Sequence, residues 1–167
     1  MRHPIHRPSN SGFTLIEIVI VLVIIAILAL MAIPSLYGVT VRQQIKDSMP
    51  LFSIGRGGVT SYFAANGEMP GTNEAAGIPE AKKIVGKYVT SVTVKDGAVT
   101  ITYGNSSHAK LTGKKLIIRP VYSSDPKAKS IVPIDWVCAG RPIPGEMTAA
   151  GTDETNVPVD AIPFKCP

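Results

Sequence analysis

The chain has 167 residues, of which 45% are hydrophobic and 17% charged, with 17 lysines and arginines against 12 aspartates and glutamates. This length excludes a multidomain enzyme, and this composition excludes an intrinsically disordered protein. The apolar excess is concentrated in one segment, residues 13–33, which excludes a membrane protein with several spans and leaves one body of ~130 residues behind it.

The N-terminus predicts a membrane anchor with a short polar leader. Residues 1–12 are polar and carry Arg2 and Arg7, and the apolar run that follows is long enough to cross a bilayer as a helix. Positive charge ahead of such a run holds that end in the cytoplasm. A secretory signal peptide is the default alternative, but the small residues expected at its cleavage site are missing after the run.

Glu17 is the only charged residue in the apolar run. A carboxylate costs about 2.5–3.5 kcal/mol at the bilayer centre and less near the surface, so it usually has a partner. If the chain is cut after Gly12, Phe13 gains a free ammonium group four residues before Glu17, and this group can pair with Glu17 of its own chain or of a neighbour. The alternative is a protonated or snorkelling Glu17 in a simple anchor.

The apolar run continues into a predicted amphipathic helix. Its apolar residues recur with helical spacing: Leu36, Val39, Val41, Ile45 and Met49. Its predicted exposed residues are Arg42, Gln43, Lys46 and Asp47.

Two prolines and an Asn-Gly pair shape this helix. Pro34 and Pro50 each remove one backbone donor and predict bends rather than ends. Asn66-Gly67 is a favourable C-terminal stop. The sequence therefore predicts one long kinked helix from about residue 13 to residue 65.

The strongest hairpin signal in the chain follows. Residues 88–94 and 98–103 alternate β-branched and polar side chains on either side of Asp96-Gly97, a pair typical of a tight turn. A short helix is predicted at about residues 80–85.

Two more strands are predicted over residues 116–122 and 131–137, in which Pro120 and Pro133 favour edges or bulges. The predicted fold class is α+β: a long kinked N-terminal helix packed on a four-stranded antiparallel sheet.

Both cysteines, Cys138 and Cys166, lie near the C-terminus. In a chain sent across a membrane they are most simply a disulfide, and closing a loop of ~29 residues contributes about 3.6 kcal/mol in the chain-entropy model. Free thiols and metal ligands are the alternatives. A metal site needs further Cys or His at suitable spacing, which the sequence lacks, so no metal or cofactor is expected.

No catalytic constellation is recognisable. His108, the sole histidine outside the leader, lies in a polar loop without a nucleophile elbow or an orienting carboxylate beside it. Asn105-Ser106-Ser107 matches a glycosylation triplet, a short pattern with a high false-positive rate. The sequence therefore predicts no enzymatic function.

Charge is unevenly distributed after residue 81. Ten lysines and arginines lie within residues 81–130. The charged residues within 145–163 are all Asp or Glu. A solvated surface is the ordinary interpretation. The sharper hypothesis is that the basic band meets the acidic loop of a neighbouring subunit or binds a polyanion such as DNA. The candidate basic surface consists of Lys82, Lys83, Lys114, Lys115 and Arg119.

Residues 11–17 read Ser-Gly-Phe-Thr-Leu-Ile-Glu and are followed by the apolar run and Ala32-Ile33-Pro34. This string resembles the head of a type IV pilin precursor of the type IVa kind. The resemblance implies that a prepilin peptidase and methyltransferase cuts Gly12–Phe13 and methylates Phe13, and that Glu17 is the assembly carboxylate. Ser11 and Ala26 depart from the common residues at their positions, Lys or Arg and Gly.

The resemblance also implies a domain organisation. It comprises a leader over 1–12, a transmembrane and fibre-core half-helix over 13–33, an amphipathic half-helix over 34–66 and a globular head over 67–167. The segment before Cys138 and the closing Cys166 region resemble the pilin disulfide loop, residues 138–166.

The function expected from the resemblance is a structural subunit of a type IV pilus. The subunit waits in the inner membrane, joins a helical homo-oligomeric filament through the assembly machinery, and serves extracellularly in adhesion, twitching motility or DNA uptake, with DNA or a host surface as partner. The alternatives are a pseudopilin of the type II secretion system and a monomeric membrane-anchored binding module.

Overall fold

The computed structural model describes residues 12–123, 135–145 and 147–162, with residues 32–37 described by their backbone alone. It divides into two compact units, Met1–Tyr37 and Gly38–Pro167. One helix, α1, runs over Leu15–Asn66, close to the predicted range of 13–65. Its backbone stays helical at Pro34 and Pro50, so neither proline ends it, and the bends stay predictions.

In the first unit, the large apolar side chains of α1 are exposed, from 46% for Val19 to 83% for Leu15. A helix that is apolar on all sides occurs where other molecules or lipid surround it. Over the described part of the chain, no helix combines the length and the hydropathy that a membrane crossing requires.

In the second unit, one face of α1 is buried. Val41 and Ile45 are buried as predicted, and the predicted exposed residues Arg42, Gln43, Lys46 and Asp47 are exposed. Val39 is 67% exposed, so its predicted burial was wrong. It precedes Val41 by two residues, which at 3.6 residues per turn places it on the opposite face. The polar side chains of Gln44 and Ser48 are buried instead.

The buried face of α1 approaches the sheet closely at Gly55. A Cβ atom on this residue would lie 2.7 Å from Val99 Cγ1, whereas a Cβ on Gly57 would meet nothing within 4 Å. The two glycines, both unfavourable for a helix by sequence, therefore differ in role. Gly55 lets the helix pack on the sheet.

This contrast predicts opposite effects of one substitution. We expect Gly55→Ala to lower the free energy of unfolding by about 1–3 kcal/mol through overpacking, which exceeds the gain of about 1 kcal/mol in helix propensity. Gly57→Ala, the matched control, should raise it by up to about 1 kcal/mol. Thermal unfolding of the full-length chain in detergent measures both. Equal shifts in the two variants would contradict the close approach at Gly55.

The sheet follows α1 and is antiparallel. Its strands are β1 Val89–Lys95, β2 Ala98–Tyr103, β3 Lys115–Ser123, β4 Asp135–Cys138 and β5 Met147–Ala149. The order is β1-β2-β3-β4, with β5 paired to β3. The α+β class is confirmed. The predicted count of four strands was wrong, because β5 has three residues and is too short to show a period.

The predicted hairpin is confirmed. Lys95 pairs with Ala98, and the two turn residues, Asp96 and Gly97, have φ of 49° and 79°. Positive φ at both central residues is the type I′ geometry that matches the strand twist. The residues predicted to form a short helix at 80–85 contribute one 3₁₀ turn, Ala81–Lys83. The first part of the predicted strand 131–137, with Pro133, lies outside the described residues.

Pro120 lies in the central strand β3, so its predicted place at an edge or bulge was wrong. Its carbonyl accepts the Ala150 N–H at 3.0 Å. In a strand the nitrogen and the carbonyl of one residue point to the same side of the strand. The position of the missing N–H of Pro120 therefore lies on the side where Ala150 lies. The pairing of β2 with β3 ends at Ile118, so no β2 residue needs that donor.

A buried hydroxyl pair links α1 to the end of β2. Ser48 Oγ lies 2.9 Å from Tyr103 Oη and donates to the Ile45 carbonyl at 2.6 Å. Either hydroxyl can be the donor in this pair.

Tyr103 predicts a loss of stability at alkaline pH. Burial raises the pKa of its phenol from 10.0 to about 12, although the hydrogen bond with Ser48 opposes this. The unfolded chain then ionises first, so the stability present below pH 10 declines between pH 10 and about 12, by at most about 2.7 kcal/mol. Unfolding free energies across this range should fall less steeply for Tyr103→Phe than for the wild type. Identical slopes would contradict the assignment.

Candidate functional site

The residues that the sequence singled out for processing and assembly lie at the start of α1 and directly before it. Residues 12–14 are non-helical and exposed, and α1 begins at Leu15. Phe13 is 80% exposed. The predicted cleavage site Gly12–Phe13 therefore lies in accessible backbone directly before a helix.

Thr14 and Glu17 form a reciprocal cap of this helix. The Glu17 N–H donates to Thr14 Oγ1 at 3.3 Å, and the Thr14 N–H faces Glu17 Oε2 at 3.5 Å. This is the arrangement of a capping box, in which each side chain accepts from the backbone of the other residue. Thr14 was not predicted as a site residue, although the spacing Thr-x-x-Glu is the signal of a capping box.

The cap fixes where the negative charge of Glu17 lies. The N-terminus of a helix carries a partial positive charge from its unpaired N–H groups, so a carboxylate in the first turn is favourable. Glu17 is exposed, as is Phe13, four residues before it. The first turn therefore presents a carboxylate at the point where cleavage after Gly12 would create an ammonium group.

The predicted basic surface is divided between elements. Lys82 and Lys83 lie in the 3₁₀ turn before β1, where Lys83 Nζ is 3.5 Å from the Glu80 carboxylate. Lys114 directly precedes β3, Lys115 begins it, and Arg119 follows within that strand. The five residues therefore do not lie on one strand. The turn with Lys82 and Lys83 leads into β1, and β2 separates β1 from β3, which carries Lys115 and Arg119.

The acidic C-terminal segment contacts β3 of its own chain. Arg119 Nη2 lies 3.9 Å from the Asp153 carboxylate. The backbone N–H of Ile117 donates to Thr155 Oγ1 at 2.9 Å, and that of Lys115 donates to Asn156 Oδ1 at 2.6 Å. Pairing of β4 with β3 stops at Ile118, so the segment covers the part of this edge that β4 leaves open. At Arg119, the basic band therefore meets an acid within the subunit.

His108 and Asn105 have structural contacts. The His108 backbone N–H donates to Gln44 Oε1 at 2.8 Å, and its Nδ1 accepts the Lys110 N–H at 3.2 Å. The side-chain amide of Asn105 donates to the carbonyls of Gly86 and Val89, both at 3.0 Å, which occupies the nitrogen that glycosylation would use. In the described ranges, no group of three or more His, Cys, Asp or Glu could hold a metal ion.

Cys138 ends β4 and is 3% exposed. Cys166 lies outside the described residues, so the Cys138–Cys166 disulfide stays a prediction.

The chain matches two family models and several known proteins. The family model described as Pilin (bacterial filament) matches residues 41–167, and the Prokaryotic N-terminal methylation motif matches residues 7–33. The Fimbrial protein of Neisseria meningitidis serogroup B is 34% identical over 146 residues, covering 87% of this chain and 81% of its own length. Type IV major pilin protein PilE1 of Neisseria gonorrhoeae is 33% identical over 162 residues, covering 93% and 86%.

Proposed function

This chain belongs to the type IV pilin family, and from that premise we propose how it is matured, held and assembled. It is a structural subunit of a pilus at the cell surface, and it is not an enzyme. The observation that carries the proposal is the first turn of α1, where an exposed Gly12–Phe13 bond precedes a capped helix with Glu17 in its first turn.

Maturation is cleavage of Gly12–Phe13 by a prepilin peptidase, followed by methylation of the new Phe13 amine. A protease binds its substrate in an extended form, and the non-helical backbone of residues 12–14 meets this requirement without unwinding α1. The match of residues 7–33 to the N-methylation motif supports the same step.

Before assembly, the apolar half of α1 is held in the inner membrane. Its exposed apolar side chains need a cover in a single subunit, and lipid supplies it. In the filament, the apolar helices of neighbouring subunits pack on each other as the fibre core, so this surface stays out of water at both stages. A helical fibre arises because the contacts between copies repeat without closing a ring.

Glu17 selects the neighbour during assembly. Its carboxylate pairs with the Phe13 amine of an adjacent subunit, which fixes the axial register. The Thr14 cap supports this role because it places the carboxylate at the end of the helix, where such an amine arrives. An unpaired charge is costly in an apolar surrounding, so a misregistered subunit that leaves Glu17 without its partner is disfavoured.

The segment after β4 is closed by a Cys138–Cys166 disulfide. Cys138 is buried at the end of β4, and the described part of the chain contains no free cysteine. The head then carries the exposed functions: adhesion, twitching motility and DNA uptake, with DNA or a host surface as partner.

Mass spectrometry of fibres sheared from the source cells tests the proposal. We expect a chain that starts at Phe13 and is one methyl group heavier and two hydrogens lighter than the unmodified processed sequence. A chain that still starts at Met1, or one confined to the membrane fraction, would contradict maturation into a surface fibre. Correct processing without a surface pool would indicate a pseudopilin instead.

A further inference from the structure

Two connecting segments of the head carry positive charge without any acid. Residues 84–91 and 102–116 contain Lys87, Lys110, Lys114 and Lys115 and no Asp or Glu. Lys87, Lys110 and Lys115 are exposed, and Lys114 is half-buried.

The fold brings these two segments to the same end of the sheet. Val89 at the start of β1 pairs with Tyr103 at the end of β2. The Ser106 N–H donates to the Lys87 carbonyl at 3.1 Å, and the Tyr103 N–H donates to the Lys114 carbonyl at 2.9 Å. We call the four lysines the basic end. Lys95 lies at the other end of β1, about 20 Å away at ~3.3 Å per residue.

The basic end is also fixed to α1. His108 binds the Gln44 side chain at 2.8 Å, and Tyr103 binds Ser48 at 2.9 Å. Gln44 follows Ile33, the last residue of the apolar run, by 11 residues. Even a fully extended chain of that length spans only about 38 Å, so the covalent connection sets an upper limit on the distance between Gln44 and the end of the apolar run.

The charges on the adjacent turns of α1 do not cancel this. Arg42 and Lys46 are exposed there beside Asp47, and Arg42 Nη2 donates to the backbone carbonyl of Asp160 at 2.7 Å. Arg42 and Lys46 offset the negative charges of Asp47 and Asp160, so the four lysines leave this end of the head positive.

We propose that the basic end binds the anionic phospholipid headgroups of the membrane that holds the subunit before assembly. The inference rests on the proposed membrane stage. Each lysine near an anionic surface shifts the equilibrium between bound and released head about fivefold. The attraction acts within about 8 Å at physiological ionic strength, so it falls off once the head lifts away.

The tether is what favours a membrane over a free polyanion. A site held within a fixed reach of its partner meets it at a high effective concentration, whereas DNA must be bound from solution. The contact also has a consequence for assembly: the head is held at the surface until extraction of the subunit breaks several weak charge contacts together.

The mature full-length chain in lipid nanodiscs provides the test. Its single tryptophan, Trp136, is a buried donor on β4, and dansyl groups on the lipid headgroups are the acceptors. We expect more energy transfer in discs of equimolar phosphatidylcholine and phosphatidylglycerol than in phosphatidylcholine alone. The excess should vanish in about 1 M salt, where the screening length is about 3 Å.

Two charge-matched double variants locate the contact. Lys87→Glu with Lys114→Glu should remove the excess transfer, whereas Lys82→Glu with Lys95→Glu, which changes the net charge equally, should retain most of it. Equal losses of energy transfer in both variants, or energy transfer that does not depend on the lipid charge, would overturn the proposal. So would loss of duplex DNA binding by the first variant with unchanged transfer, which would assign the basic end to DNA. Failure of the chain to enter the discs would instead contradict the membrane stage itself.

Discussion

Subunits carrying Glu17→Ala should be cut and methylated normally but should form few or no fibres. The substitution leaves an amine from a neighbouring subunit buried among apolar helices without its counter-charge, which costs about 3–5 kcal/mol at each contact. A loss of this size corresponds to at least about a hundredfold weaker association per contact. Fibre yield is measured in the sheared fraction, and processing by the mass of the membrane pool.

Two further variants separate the charge of Glu17 from its role in the helix cap. Glu17→Gln keeps an acceptor for the Thr14 N–H and removes the charge, so it should assemble as poorly as Glu17→Ala. Thr14→Ala removes the cap and keeps the charge, and should cost about 1 kcal/mol of helix stability with fibres still formed. Normal fibre numbers for Glu17→Ala would refute the assigned role.

Asn73→Ala should destabilise the head by about 3 kcal/mol. The Asn73 side chain is buried between the α1–β1 connection and the outer edge of β1. It accepts the Val94 N–H at 2.6 Å and donates to the carbonyls of Val92 and Pro79 at 3.0 and 2.9 Å. Alanine leaves these buried backbone groups unpaired, at about 1–3 kcal/mol for each that water cannot reach.

Thermal unfolding of the full-length chain in detergent measures the effect, with Asn66→Ala as the control. The Asn66 amide is exposed and donates to the Tyr62 carbonyl within its own helix at 2.9 Å. Its loss should change the free energy of unfolding by about 0.5 kcal/mol or less. Equal effects of the two substitutions would mean that Asn73 does not hold the connection to β1.

Local patterns in the sequence predicted several elements of this pilin. Asp96-Gly97 between two β-branched runs set the hairpin, because few residues tolerate positive φ at both turn positions. Asn66-Gly67 marked the end of α1 to within one residue. The candidate assembly site was recognisable for the same reason: residues 12–17 are contiguous, so the proposed cleavage site and the carboxylate are close neighbours along the chain, although the Thr14 cap was not predicted.

Contacts between residues far apart in the chain were not predicted from the sequence. Gly55 looked like a weak point in a helix, and only its approach to Val99 explains it. No local pattern predicted burial of Ser48 and Gln44, yet each is buried against a partner more than 50 residues away. A local pattern carries no information about which remote surface will face it.

The sequence by itself determined the long helix, the hairpin turn and the contiguous residues of the proposed N-terminal site, since these depend on backbone preference and on residues a few positions apart. The tertiary structure alone decided that β5 joins β3, that the acidic segment covers the edge of β3 beside Arg119, and that four lysines from two segments meet at one end of the sheet. These arrangements depend on which strand edges and backbone N–H groups remain unpaired after β1 to β4 have formed the sheet. Such unpaired edges exist only in the folded chain.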